Sequence, residues 1–211
     1  MTEQKEDKLP KPRLESLSDL IFGLALSIGA LTLIGQQPGN FQQLVFSILY
    51  YGFSFIILIN VWYSYTRTMS LLRFETQRSV NLNIFLLFLV SIEPFLFNQQ
   101  IHSTLALEQY ISIIYALDLG GLFVILAFLA NAILADKNRP LQVLYTYEAR
   151  RYSEVFGAAL FFISILPFFW IWKIPVGSTT SIPLRFILWL IPLFNSQIRR
   201  LWEHQLKKNR H

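Results

Sequence analysis

Three carboxylates, Asp19, Glu93 and Asp118, stand inside long apolar stretches of the chain. Ionisable residues within a bilayer are rare and generally face a bundle interior or water, so each is a functional candidate. Glu93 and Asp118 fall in the outer halves of their stretches. They read either as an outer vestibule that concentrates cations or as structural partners of Lys173 and Arg185, the reading preferred here. Asp19 follows Arg13, Glu15 and Ser18 at the start of the first stretch, where free amides and the helix dipole favour a carboxylate cap. Asn60, Asn131 and Asn195 read as buried amides that hydrogen-bond between helices. His102, His204 and His211 lie outside the stretches and far apart in the chain, so no metal cluster or proton relay is visible. There is no cysteine, no serine–histidine–acid set and no phosphate or dinucleotide loop. Neither an arginine-rich voltage sensor nor a TVGYG filter is present. An enzyme reading has little to stand on, and no cofactor is expected.

The elements that position these residues are six apolar spans, near 17–35, 44–66, 81–98, 110–134, 155–173 and 184–201. Each is long enough to cross a hydrocarbon core of ~30 Å at ~1.5 Å per residue. Placing the N-terminus in the cytoplasm puts all but Lys173 and Arg185 of the 18 lysines and arginines on the inner side. That asymmetry predicts both termini cytoplasmic and an even number of spans. A 54% hydrophobic chain with 19 phenylalanines and a mean hydropathy of +0.44 is membrane material. The +5 net charge lies at membrane edges, reading as topology and contact with anionic lipid headgroups, with no nucleic-acid partner.

Three regions are expected: a mobile cytoplasmic leader over 1–12, a six-helix transmembrane domain over 13–203 and a basic tail over 204–211. Pro140 breaks the connection 135–154, and 141–152 is predicted to form a short interfacial helix with its tyrosines at headgroup level. Residues 173–183 read as a turn-rich outer loop, and 35–43 as a tight uncharged one. The first span is rich in small residues. Gly23, Ser27 and Ala30 follow one helical face, and Leu24, Ile28 and Leu31 the adjacent one. Such a pattern fits a tightly packed bundle helix, or a helix facing symmetry-related copies around a pore; periodicity leaves both open.

The segment RLESLSDLIFGLALSIGALTL (13–33) resembles the opening of the transmembrane protein 175 family of potassium channels. That opening is an arginine followed by a phenylalanine–serine–aspartate motif and an alternating small and aliphatic run. SFIILINVWYSYTR (54–67) is similar to the family's second span and NLNIFLLFLVSIEPF (81–95) to its third. The resemblance implies an all-α membrane protein of six transmembrane helices, a homotetramer with the first helix of each subunit lining a central pore. It implies a potassium-preferring cation channel in a prokaryotic plasma membrane, with monovalent cations and membrane lipid as its partners and potassium as cargo. Leu24, Ile28 and Leu31 take the positions of the pore constriction, and Ser27 that of the pore hydroxyl. Arg13, Ser18 and Asp19 match the motif that supports the pore helix.

Leu17 replaces the motif phenylalanine, Leu24 an isoleucine, and Tyr63, Ser64 and Tyr65 stand where the family often carries histidines. The alternative is an ion-coupled secondary transporter with Glu93 and Asp118 as coupling carboxylates, although no internal repeat is visible. A third reading is a noncatalytic scaffold that packs lipid or a partner protein.

Overall fold

Runs of helix-forming apolar residues, interrupted by asparagine, glycine and proline, set the boundaries. The computed structural model describes residues 11–34, 39–72, 77–102, 105–136, 138–176 and 180–208. The first ten residues of the expected leader, residues 35–38 of the 35–43 loop and the last three residues of the expected tail lie outside them. Four long helices come first: α1 (Lys11–Ile34), α2 (Phe41–Leu71), α3 (Gln77–His102) and α4 (Leu105–Leu134). Asn40 opens α2 by accepting the Gln43 amide at 2.9 Å, which satisfies one of the orphan donors of the first turn. Pro94 lies within α3 without ending it.

The C-terminal third is more broken. After Pro140 comes α5 (Leu141–Ser164), then α6 (Pro167–Ile171). An antiparallel ribbon follows, β1 (Lys173–Val176) against β2 (Thr180–Pro183), with Lys173 opposite Pro183. The chain ends in α7 (Leu184–Leu190), a 3-10 turn (Ile191–Phe194) and α8 (Asn195–Lys208). Among the described residues four helices, α1 to α4, are long and apolar enough to cross a membrane. The fifth and sixth expected spans are not single helices. The fifth breaks at Ile165 and Leu166 ahead of Pro167, and the sixth at the turn holding Pro192; proline lacks the amide a helix interior needs. Nor is 141–152 a separate interfacial helix: nothing in 141–156 breaks a helix, so it forms the first half of α5. Within the expected 173–183 loop, 173–176 and 180–183 pair as the β-ribbon.

Between helices in lipid there is little hydrophobic driving force, so close packing and polar contacts hold the bundle. The packing centre is α4, whose Leu119, Leu122, Leu126 and Leu129 are buried between α3 and α5. Its fit to α5 is reciprocal: Phe162 of α5 lies over Gly120 of α4, and Phe123 of α4 over Gly157 of α5. A Cβ would stand 2.7 Å from the first ring and 2.8 Å from the second. Small residues thus let the two helices approach through their aromatic neighbours. α1 lies against α3 and α2 through Leu14, Ser18, Phe22 and Ala25.

Candidate functional site

The two faces of α1 divide the sequence-predicted residues. On the inner face, Ser18 is fully buried. Its hydroxyl donates to the Leu14 carbonyl at 2.7 Å and lies 2.6 Å from the Tyr65 hydroxyl. Tyr65 in turn donates to Asn83 Oδ1 at 2.8 Å, so a hydroxyl chain joins α1, α2 and α3. The neighbouring Asp19 accepts the Trp62 indole N–H at 3.0 Å. It is no helix cap, because α1 already begins at Lys11. Arg13 is exposed.

The opposite face carries Leu17, Leu20, Leu24, Ile28 and Leu31, all exposed, with Leu24 57% and Leu31 60% accessible. Their spacing of three and four residues makes one continuous apolar stripe. Ser27 is exposed within it and donates its proton to the Gly23 carbonyl at 2.8 Å, which leaves the oxygen lone pairs facing outward. Gly23 also lies on this face, and a Cβ built there meets nothing within 4 Å. No packing inside the protomer calls for a glycine at that position, although glycine in a helix interior costs ~0.5–1 kcal/mol relative to alanine.

Glu93 and Asp118, offered by the sequence as a vestibule, lie inside the protomer at 0% and 4% exposure. Glu93 Oε1 accepts the Ser54 and Tyr115 hydroxyls, each at 2.8 Å. Neither Asp118 oxygen has a hydrogen-bond partner among the described residues. The expected pairing with Lys173 or Arg185 is corrected. Arg185 is buried, donates to the Ser112 hydroxyl and lies 4.8 Å from the Trp170 ring centroid. Lys173 is on the exposed ribbon.

A third polar cluster went unread in the sequence. Arg150 and Glu154 of α5 are each 1% exposed. Arg150 Nη1 donates to the Ser64 carbonyl at 2.8 Å and to the Thr68 hydroxyl at 3.2 Å. Glu154 accepts the Ser64 hydroxyl at 2.6 Å and the Asn195 amide at 3.1 Å. The signal was present: Tyr147, Arg150, Glu154, Ala158 and Phe161 recur every three or four residues, so the buried face runs straight through the two charges. Asn131 and Asn195 do bridge helices, Asn131 by accepting Arg151 at 3.2 Å, although Asn131 is exposed and not buried as expected. No group of three histidine, aspartate or glutamate side chains among the described residues is placed to hold a metal.

Residues 13–94 match the family model of the endosomal/lysosomal potassium channel TMEM175. No match was found among curated proteins. The fold is similar to the crystal structure of a lysosomal potassium-selective channel TMEM175 homolog from Chamaesiphon minutus, with a TM-score of 0.61 and 18% sequence identity. That match covers 90% of this chain and 97% of the other. The resemblance carried by 13–33, 54–67 and 81–95 is therefore borne out: this membrane protein has the TMEM175 sequence pattern in its first three helices and the TMEM175 fold over nine-tenths of its length.

Proposed function

We propose that the chain is a passive, potassium-preferring cation channel of a prokaryotic plasma membrane, built as a homotetramer whose four α1 helices surround the ion pathway. The observation that carries this reading is the exposed stripe of α1, which lies in the segment matched by the family model. In the tetramer Leu24, Ile28 and Leu31 form successive apolar rings. A ring of this kind blocks ions when it dewets and conducts when slightly wider. Ser27 places a hydroxyl oxygen one residue before Ile28, ready to replace part of a cation's water shell. Arg13, Ser18 and Asp19 support the inner end, Ser18 and Asp19 through their bonds to α2. Six crossings result if α5–α6 and α7–α8 each make one, with both termini cytoplasmic. No cofactor enters: potassium is cargo, driven by its gradient and by the membrane potential, worth ~2.3 kcal/mol per charge per 100 mV.

The test is potassium and sodium flux in liposomes for the native chain and Leu24→Ala. The expected result is a potassium preference in the native protein, with faster and less selective flux in the variant. Flux that needs a proton gradient and is indifferent to Leu24 would refute the channel reading.

A further inference from the structure

A groove of about 450 Å³ runs between α4 and α5. Val124, Ala127 and Phe128 form one wall, and Val155, Ala158 and Phe162 the other. It exists because alanines stand between bulky phenylalanines and leave the space unfilled. The polar lining residues, Asn131 near the end of α4 and Arg151 ten residues into α5, meet at one mouth through their hydrogen bond. Arg78, from the start of α3, reaches the same wall, with its guanidinium carbon 6.0 Å from the centroid of the Phe128 ring.

Two properties of this groove identify its occupant. The first is depth. From Arg151 to Phe162 is eleven residues of helix, or roughly 16 Å at ~1.5 Å per residue, about half of a ~30 Å hydrocarbon core. With Arg151 at headgroup level, Phe162 reaches the bilayer midplane. The second is charge. Among the described residues Arg151 donates to Asn131 and lies 5.0 Å from the Tyr152 ring centroid, and neither Arg151 nor Arg78 forms an ion pair. One guanidinium at the mouth of an apolar slot one leaflet deep and a second against its Phe128 wall, neither in an ion pair among the described residues, match a phosphate with an acyl chain below it.

We propose that the α4–α5 groove binds an anionic glycerophospholipid of the leaflet bordered by the basic loops, one acyl chain lying between Ala127 and Ala158 and the phosphate held by Arg151 and Arg78. The site rests on the membrane setting of the chain and not on ion conduction, so its test reads binding alone. The full-length protein in detergent is titrated with phosphatidylglycerol, with phosphatidylcholine of the same acyl chains and with glycerol phosphate, and bound lipid is counted by native mass spectrometry.

Phosphatidylglycerol should bind more tightly than phosphatidylcholine, and glycerol phosphate should not displace it. Each of Arg78→Gln and Arg151→Gln should weaken phosphatidylglycerol about 5-fold, and both together about 25-fold, from the ~1 kcal/mol that a basic residue near an anionic surface contributes. Ala159→Phe, which fills the groove, should weaken both lipids, and Arg200→Gln, a basic residue outside it, should change neither. Equal binding of the two lipids, unchanged binding in the double variant, or displacement by glycerol phosphate overturns the proposal. So does an Ala159→Phe protein that keeps its lipid but loses an oligomeric contact, because the groove would then be an interface between copies.

Discussion

An alanine at Gly23 and an alanine at Gly157 are the same chemical change in two helix interiors, yet the structure gives them opposite signs. Each substitution gains ~0.5–1 kcal/mol by relieving the conformational freedom of glycine. At Gly157 the new Cβ lies 2.8 Å and 3.0 Å from two ring carbons of Phe123. That ring is 2% exposed and packed against Phe161 at a centroid distance of 5.6 Å, so it has nowhere to move. Overpacking of this kind costs ~1–3 kcal/mol, leaving Gly157→Ala destabilised by up to about 2.5 kcal/mol. At Gly23 the Cβ meets open space, and Gly23→Ala keeps the whole helix gain. In a tetramer around α1, however, four extra methyl groups would stand one residue from Leu24, and conduction should fall several-fold. Thermal unfolding of the detergent-solubilised protein, at one fixed heating rate because membrane proteins often unfold irreversibly, measures the first quantity. Potassium flux in liposomes measures the second. The expected pattern is a raised midpoint with reduced flux for Gly23→Ala and a lowered midpoint for Gly157→Ala. A Gly23→Ala protein that is more stable and conducts as before would refute the placement of this face on the pathway.

The buried hydroxyl networks make two further predictions. Ser54→Ala and Tyr115→Phe each remove one of the two donors on Glu93 Oε1, and each should cost ~1 kcal/mol while the other donor remains. The double variant strips that oxygen of both and should lose more than the sum of the singles, by ~0.5–3 kcal/mol; strict additivity in a thermal-unfolding cycle would argue against a shared acceptor. Tyr65→Phe leaves Asn83 with neither amide atom partnered among the described residues, since its Nδ2 already has no partner there. It should destabilise by ~1–3 kcal/mol, whereas Ser18→Ala, which keeps the Tyr65–Asn83 bond, should cost less. Equal losses in the two variants would contradict the order of the chain.

The first four helices were legible because their apolar runs are long, free of charge pairs and bounded by polar turns. The last two expected spans were not, for separate reasons. In the fifth, the charges at 148, 150, 151 and 154 look like a loop to any hydropathy window. Arg150 and Glu154 nonetheless enter the helix because Ser64, Thr68 and Asn195 supply their hydrogen bonds, and those partners are distant in sequence. In the sixth, Pro192 sits within an otherwise continuous apolar run, and a local 3-10 turn absorbs it. Lys173 and Arg185 were natural partners for Glu93 and Asp118 by charge and side. What won was the local supply of neutral donors, Ser54 and Tyr115 on helices already in contact with α3, together with an aromatic seat for Arg185.

The exposed face of α1 was the hardest to assign from sequence, and the reason is physical. In water an apolar stripe declares the buried side of a helix, but in lipid both faces are apolar and periodicity loses its meaning. On α1 the buried set Leu14, Phe22 and Ala25 is no more hydrophobic than the exposed set Leu20, Leu24, Ile28 and Leu31. What separates the faces is the smaller side chains between the leucines. Ser18 is spent inside the protomer on Tyr65. Gly23 and Ser27 are spent on nothing there beyond their own helix. A face turned only to lipid gains nothing from a glycine or a hydroxyl, and would be more stable with alanine or leucine in their places. A face turned to other copies of itself, and to water and ions between them, gains close approach from the first and an oxygen ligand from the second.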